Sequence, residues 1–222
     1  MRAYFSKALV LLYVTVASVA AAAQSGKVET IGPATDSSLS DSVKRALEGK
    51  GYRIILDDGS VAGEIWLRKS VAAGATKKDE SNALYSQLAE SVFFGVIWFP
   101  QATTDYRGEP IKAGAYTLRY ELLPNDANHM GVAPNRDFLL LVPAAADSDP
   151  DAVFNFHDLV ALSATATGTA HPAPISLVQA QGGATPSLSK DSEDHWIFSG
   201  TTKLSSGGDL VFGLVVKGTA PQ

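Results

Sequence analysis

Short runs of alternating or wholly apolar residues, separated by turns rich in glycine, proline and aspartate, recur along most of this sequence. In the run 115–122, Tyr116, Leu118 and Tyr120 alternate with polar or small residues, which is the pattern of a strand with one buried face. The run 92–99 is apolar on both alternating faces, as in a strand covered on both sides. Helical segments are too few for repeated strand–helix–strand units. The sequence therefore predicts a mainly β fold, an antiparallel β-sandwich of jelly-roll type with about two or three short peripheral helices.

Turn and capping residues predict the positions of the other elements. Runs 52–56 and 63–69 flank Asp57-Asp58-Gly59, and an Asp-Gly turn between two such runs is typical of a β-hairpin. Ser40 precedes apolar residues at helical spacing and is a suitable N-cap. The other predicted elements are helices over 41–49 and 155–166, one or two helical turns over 83–90, strands over 138–142, 174–178, 195–201 and 209–217, and loops over 70–82 and 180–194.

The amino-terminal residues 1–23 have the three parts of a secretory signal peptide. Arg2 and Lys7 supply a positive start, residues 8–19 are mostly apolar, and Ala21-Ala22-Ala23 form a small-residue cleavage site. An apolar stretch of about a dozen residues is shorter than the roughly 20 that a membrane-spanning helix needs. We therefore expect cleavage near Ala23 and a periplasmic or secreted protein.

The part expected to remain, 24–222, has the length of a single domain, and 24–38 is expected to be flexible or to form one edge strand. The chain contains no cysteine, which excludes disulfides, thiolate chemistry and a lipid-modified amino-terminal cysteine. Its formal net charge of −5 becomes more negative when the two basic residues of the leader are removed. An acidic chain is a poor partner for nucleic acid or for anionic membranes. We expect no nucleic-acid partner and no membrane anchor after cleavage.

Three stretches, 111–120, 128–132 and 136–141, form a familiar combination. The first contains Gly114-Ala115-Tyr116-Thr117-Leu118, a strand start shared by many extracellular sandwich modules. Across 106–143 in particular, the chain resembles a group of secreted bacterial β-sandwich proteins of unknown function. The resemblance implies export and a β-sandwich fold, and it implies no mechanism.

The strand predicted at 63–69 carries an aromatic candidate binding surface. Trp66 lies on the face opposite Ile65, and Glu64 and Arg68 flank it on its own face. An exposed tryptophan between two charged side chains could stack against a sugar ring while the charged groups form hydrogen bonds. The alternative is a core tryptophan covered by the helix at 41–49.

A second group of candidate ligand-binding residues is polar and lies at predicted turns or strand ends. If these ends converge, they form a polar pocket at one rim of the sandwich, and otherwise turn chemistry accounts for them. The group comprises Arg107, Arg119, Asn128, His129, Arg136 and Asp137.

Two sequence features suggest a metal, although no cofactor is predicted with them. His129-Met130 offers imidazole and thioether ligands that suit copper, but two further ligands would have to come from elsewhere. Asp147, Asp149 and Asp151 occupy the first three ligand positions of a calcium-binding loop. That loop has alanine in place of the glycine of its turn, so the alternative is an acidic loop that caps the helix predicted at 155–166.

The motifs of nucleophilic enzymes are weak in this chain. Ser187-Leu188-Ser189-Lys190 has the serine–lysine spacing of penicillin-interacting enzymes but lies in a predicted loop without their companion motifs. Paired carboxylates for glycoside hydrolysis depend on the fold rather than on sequence spacing. The sequence favours an exported, non-enzymatic β-sandwich that binds a small molecule, a glycan or an envelope protein. The alternatives are a metal-dependent or carboxylate-based hydrolase and a purely structural interaction module.

Overall fold

A computed structural model describes residues 25–74, 83–106, 108–124 and 135–218. The predicted leader and the tip of the loop predicted at 70–82 lie outside these residues. The strands are β1 (Lys27–Ile31), β2 (Gly51–Ile55), β3 (Val61–Leu67), β4 (Phe93–Phe99), β5 (Thr103–Thr104), β6 (Pro110–Ile111), β7 (Gly114–Leu122), β8 (Asp137–Pro143), β9 (Pro174–Val178), β10 (Ser187–Lys190), β11 (Trp196–Lys203) and β12 (Asp209–Lys217). The helices are α1 (Asp41–Ala46) and α2 (Phe156–Thr167), with a 3-10 turn at Ala144–Ala146.

Ten of the strands form one sheet in the order β1-β2-β3-β4-β7-β8-β9-β12-β11-β10, and all neighbours in it are antiparallel. The sheet curls until its two edges meet. Lys190 at the end of β10 lies 3.7 Å from Asp57 in the turn after β2, and a Cβ on Gly26 would lie 2.9 Å from Leu188. The mainly β, antiparallel fold is therefore confirmed as one nearly closed sheet. The jelly-roll sandwich stays a prediction.

A single apolar core fills the space inside the curled sheet. The alternation predicted for β7 is confirmed, because Tyr116, Leu118 and Tyr120 all point into this core. Phe94 of β4 packs edge to face against Phe212 of β12, with ring centroids 4.9 Å apart. Burying each such ring contributes roughly 1.5–3 kcal/mol. This core joins β4 and β12, which are not neighbours in the strand order, across the interior.

A second, smaller core lies outside the sheet, beneath α1. Val43 of α1 packs with Trp66 of β3 and with Phe93 of β4, so β4 is buried on both faces from Phe93 to Ile97, as predicted. The helix begins where predicted, since Ser40 Oγ accepts a hydrogen bond from Val43 N at 3.1 Å. It ends at Ala46, before the predicted 49, because the next residue, Leu47, turns to extended backbone and forms a β-bridge with Arg68, directly after β3.

The second helix, α2, covers the outer face of β8 and lies within one residue of the helix predicted at 155–166. Leu159 packs against Phe138 and Leu140, and all three are buried. Asn155 Oδ1 caps the helix by accepting from the backbone N of Asp158 at 3.0 Å, and Gly168 ends it in the left-handed conformation at φ 73°. Local capping signals alone locate this helix.

Three segments differ from expectation or decide between alternatives. The helical turns predicted at 83–90 are wrong, because these residues form irregular turns on the sheet. The predicted loop 180–194 contains strand β10, which pairs with β11. Of the two alternatives for 24–38, the edge strand is the correct one, since β1 pairs with β2. No helix in the described part of the chain has the length and apolarity to span a membrane.

Candidate ligand-binding groove

The three predicted binding residues, Glu64 and Trp66 of β3 and Arg68 directly after it, share the outer face of the sheet, but their surroundings differ. Trp66 is only 7% exposed and lies beneath α1, and its indole Nε1 donates to the carbonyl oxygen of Gly32 at 2.9 Å. The exposed platform expected at Trp66 is therefore wrong, and the alternative of a core tryptophan is correct. Arg68, two residues on, donates to Pro150 O at 2.8 Å and pairs with Asp151.

Beside Trp66, the outer face carries an open groove of about 370 Å³ between the sheet and the segment 31–36. Its floor is a row of directly opposed residues on neighbouring strands. Arg53 of β2 lies opposite Glu64 of β3, and Glu64 lies opposite Trp98 of β4. Opposed side chains on neighbouring strands have Cβ atoms about 4.5–5.5 Å apart, so the row places an ion pair directly beside an indole ring.

Trp98 is the accessible tryptophan of this chain. It is partly exposed and lines the groove, whereas Trp66 and Trp196 are 7% and 8% exposed. Sequence reasoning missed Trp98, because a run that is apolar on both faces predicts burial on both faces. The signal that could have found it is its place near the end of β4, two residues before Pro100.

The polar groups of the groove are only partly used by the protein itself. Arg53 Nε donates to Glu64 Oε1 at 2.7 Å, while the terminal guanidinium nitrogens of Arg53 and Oε2 of Glu64 have no hydrogen-bond partner among the described residues. The same holds, within these residues, for the Thr35 hydroxyl and the Trp98 indole N–H. Asp36 accepts from the backbone N of Ser38 at 2.8 Å through Oδ1 alone. The groove therefore offers both donors and acceptors to a ligand.

Arg119, predicted to line a rim pocket, is instead fully buried on the outer side of β7. Its Nε lies 2.6 Å from Asp147 Oδ2 and its Nη2 lies 2.8 Å from Asp147 Oδ1, a bidentate pair in which both side chains are at most 1% exposed. Thr117 Oγ1 donates to the same carboxylate at 2.6 Å. This geometry leaves no access for a ligand to the guanidinium.

The remaining donors of Arg119 hold the backbone of the acidic loop. Nη1 donates to Ser91 O at 2.9 Å and Ala152 O at 2.8 Å, and Nη2 donates to Asp149 O at 2.7 Å. With the two bonds to Asp147, all five N–H groups of the guanidinium are used. We call Arg119, Thr117, Asp147 and the three carbonyl groups the Arg119 network.

The predicted calcium loop is thus organised by guanidinium groups. Asp147 belongs to the Arg119 network, Asp151 pairs with Arg68, and Asp149 Oδ1 accepts from the backbone N of Asp151 at 2.9 Å. Groups of three or more metal-ligating side chains are absent from the described ranges. The geometry favours the alternative reading, an acidic loop leading into α2.

Asp137, another predicted rim residue, is fully buried and organises the segment after residue 83. Its oxygens accept from Leu84 N at 2.7 Å, from Tyr85 N at 2.9 Å and from the Tyr120 hydroxyl at 2.8 Å. Burial raises the pKa of Tyr85 to about 12. Arg136 Nε donates to Leu123 O at 2.9 Å, another contact internal to the protein. Asp137 and Arg119 each serve a separate internal network, so these rim residues do not form one pocket.

Four predicted residues, Arg107, Asn128, His129 and Met130, lie outside the described residues, and the copper prediction lies there with them. The serine–lysine pair lies on strand β10 rather than at a helix start. Lys190 is 3.5 Å from Asp194 and lies over the ring of Trp196, so it is engaged in a local charge cluster.

His195 is buried at the turn between β10 and β11. Its Nδ1 lies 3.1 Å from Asp191 Oδ2, and its ring packs on Tyr106 with centroids 4.5 Å apart. Asp191 also accepts from the backbone N of His195 and of Glu193, each at 2.9 Å. These bonds close the hairpin turn, so the histidine and aspartate serve local structure.

Comparison of the chain with family models, with curated proteins and with solved structures returned no match.

Proposed function

We propose that this chain is an exported, non-enzymatic domain that binds a glycan in the groove beside Trp98. The observation that carries the proposal is the combination of one partly exposed tryptophan with hydrogen-bonding atoms that have no partner among the described residues. An indole ring is a large, flat apolar surface with a polar N–H at its edge. The C–H groups on one face of a sugar ring can pack on such a surface.

The mixture of free donors and acceptors favours a polyhydroxylated ligand. A hydroxyl group donates one hydrogen bond and accepts others, so neighbouring hydroxyls of a sugar can use both members of an ion pair. The Arg53–Glu64 pair presents guanidinium N–H groups and a carboxylate oxygen side by side. A purely apolar ligand would leave these groups without water, which costs free energy.

The groove is preorganised by regular structure. Arg53, Glu64 and Trp98 lie on three adjacent strands of one sheet, which fixes their spacing. The opposite wall, segment 31–36, is held to the sheet by the hydrogen bond from Trp66 to Gly32. Rigid walls reduce the entropy that binding must overcome.

The sequence supports the cellular setting of this proposal. The leader-like residues 1–23 and the resemblance across 106–143 favour a periplasmic or secreted protein of jelly-roll sandwich type. A nearly closed antiparallel sheet is a scaffold compatible with that type.

Titration of the mature protein with oligosaccharide trimers of different charge, followed by calorimetry and by acrylamide quenching of tryptophan fluorescence, tests the proposal. We expect a bound trimer to protect Trp98 from quenching and Trp98→Ala to weaken binding by about tenfold or more. Trp196→Phe is the matched control, because Trp196 is 8% exposed and does not line the groove. Binding that survives Trp98→Ala, or no binding of any trimer, would overturn the proposal.

A further inference from the structure

The charge of the groove bears on which glycan fits it. Asp36 and Glu64 both line the groove, and the cation that lines it with them is Arg53. Arg53 is already compensated from two sides, since it pairs with Glu64 at 2.7 Å and lies opposite Glu29 of β1. Glu29 is itself paired with Lys27 at 2.7 Å. The lining therefore carries one more negative charge than positive.

Both groove carboxylates keep one oxygen for a ligand. Oε2 of Glu64 and Oδ2 of Asp36 have no donor among the described residues, while their other oxygens are used by Arg53 and by Ser38. The Glu64 side chain is only 14% exposed. A partly desolvated carboxylate favours a cationic donor, because water screens the attraction less than at an open surface.

The indole ring of Trp98 adds to the same preference. The face of a tryptophan ring attracts cations, and ammonium groups within about 6 Å of the ring centre gain from this. Trp98 lies directly opposite Glu64 in the strand register, so one ligand group can contact both. Sugars that carry carboxylate, sulfate or phosphate would instead be repelled by the two acidic side chains, Asp36 and Glu64.

From these observations we infer that the glycan carries free amino groups, as in a glucosamine oligomer whose amines are not acetylated. The inference rests on the proposed glycan-binding function and specifies its ligand class. The ammonium lies between the Asp36 and Glu64 carboxylates, next to the face of Trp98, and neutral hydroxyls contact Arg53 and Thr35.

Four β-1,4-linked trimers, of glucosamine, N-acetylglucosamine, glucose and a uronic acid, are titrated against the mature protein at a pH where the amines are protonated. We expect the glucosamine trimer to bind about tenfold more tightly than the glucose trimer, and the uronic acid trimer more weakly than both. Added salt should reduce the amine preference and leave binding of the glucose trimer nearly unchanged.

Variants separate the charge preference from the glycan function. Glu64→Gln and Asp36→Asn keep the side-chain shapes and each removes one negative charge, so each should lower the ratio of glucosamine-trimer affinity to glucose-trimer affinity. Trp98→Ala should weaken all trimers. Equal binding of the glucosamine and glucose trimers, with both dependent on Trp98, overturns the amine preference and leaves the glycan function standing. Failure of all four trimers to bind overturns both.

Discussion

Two arginines on the outer face of this sheet form the same kind of ion pair in opposite surroundings. Arg53 is 42% exposed and meets Glu64 through Nε alone, whereas Arg119 is fully buried and all of its N–H groups are bonded. A buried charge must be fully paired, because an unpaired one costs several kcal/mol. An exposed charge can leave donors to water and hence to a ligand. Burial therefore separates the Arg119 network, which stabilises the fold, from the groove, which is available for binding.

The largest expected effect comes from removing the buried guanidinium. Arg119→Met removes both guanidinium bonds from the buried Asp147 carboxylate, which keeps only the Thr117 hydroxyl as a side-chain donor, and one donor from each of three carbonyl groups. We expect a loss of about 3–5 kcal/mol in the free energy of unfolding. Arg53→Met, its matched control, should cost no more than about 1 kcal/mol, because partly exposed ion pairs contribute little. Urea denaturation followed by circular dichroism measures both values.

A second variant keeps this comparison testable if Arg119→Met folds poorly. Adding Asp147→Leu removes the unpaired carboxylate, so the double variant should recover at least about 1 kcal/mol of the loss. Equal losses for Arg53→Met and Arg119→Met would contradict the difference that we draw between the two pairs.

An intermediate effect is expected for the two tryptophans that line the groove. Trp66→Phe removes the hydrogen bond to Gly32 and leaves a gap beneath α1, at a cost of about 2–3 kcal/mol in stability. It should also weaken trimer binding, because segment 31–36 loses its hydrogen bond from Trp66 to Gly32. Trp98→Phe should cost less than about 1 kcal/mol in stability while keeping part of the stacking surface. Thermal unfolding and trimer titration of both variants would show which tryptophan stabilises the groove and which contacts the trimer.

Much of the fold could be predicted because local patterns agreed with the final packing. The alternation of β7, the two-sided burial of β4 and the caps of α2 all follow from residues near in sequence. Strand β10 could not be predicted, since Leu188 is the one apolar residue in a polar run and its pairing with β11 is a tertiary choice. The helical turns predicted at 83–90 are wrong for a related reason, because the backbone of this segment is held by Asp137, more than 40 residues away.

The candidate site was predictable in part. Strand periodicity correctly placed Glu64, Trp66 and Arg68 on one face, but periodicity does not say what covers that face. Segment 31–36 and α1 cover Trp66 and leave Trp98 partly exposed, and this depends on a contact between Gly32 and Trp66 across 34 positions. The Arg119–Asp147 pair is likewise a contact at long sequence separation, so spacing alone suggested calcium where the fold uses a guanidinium.

The smallest expected effect concerns calcium, and it sharpens the comparison of the two arginines. A calcium ion in the loop 147–158 would have to displace the bidentate Arg119 from Asp147 and would lie beside the positive charges of Arg119 and Arg68. A ligand that binds only the folded state raises the unfolding temperature, so the absence of binding leaves that temperature unchanged. We expect millimolar calcium and chelator to give the same thermal midpoint for the unmodified protein. A calcium-dependent rise that Asp147→Asn abolishes would show that a metal, rather than the guanidinium, organises the loop.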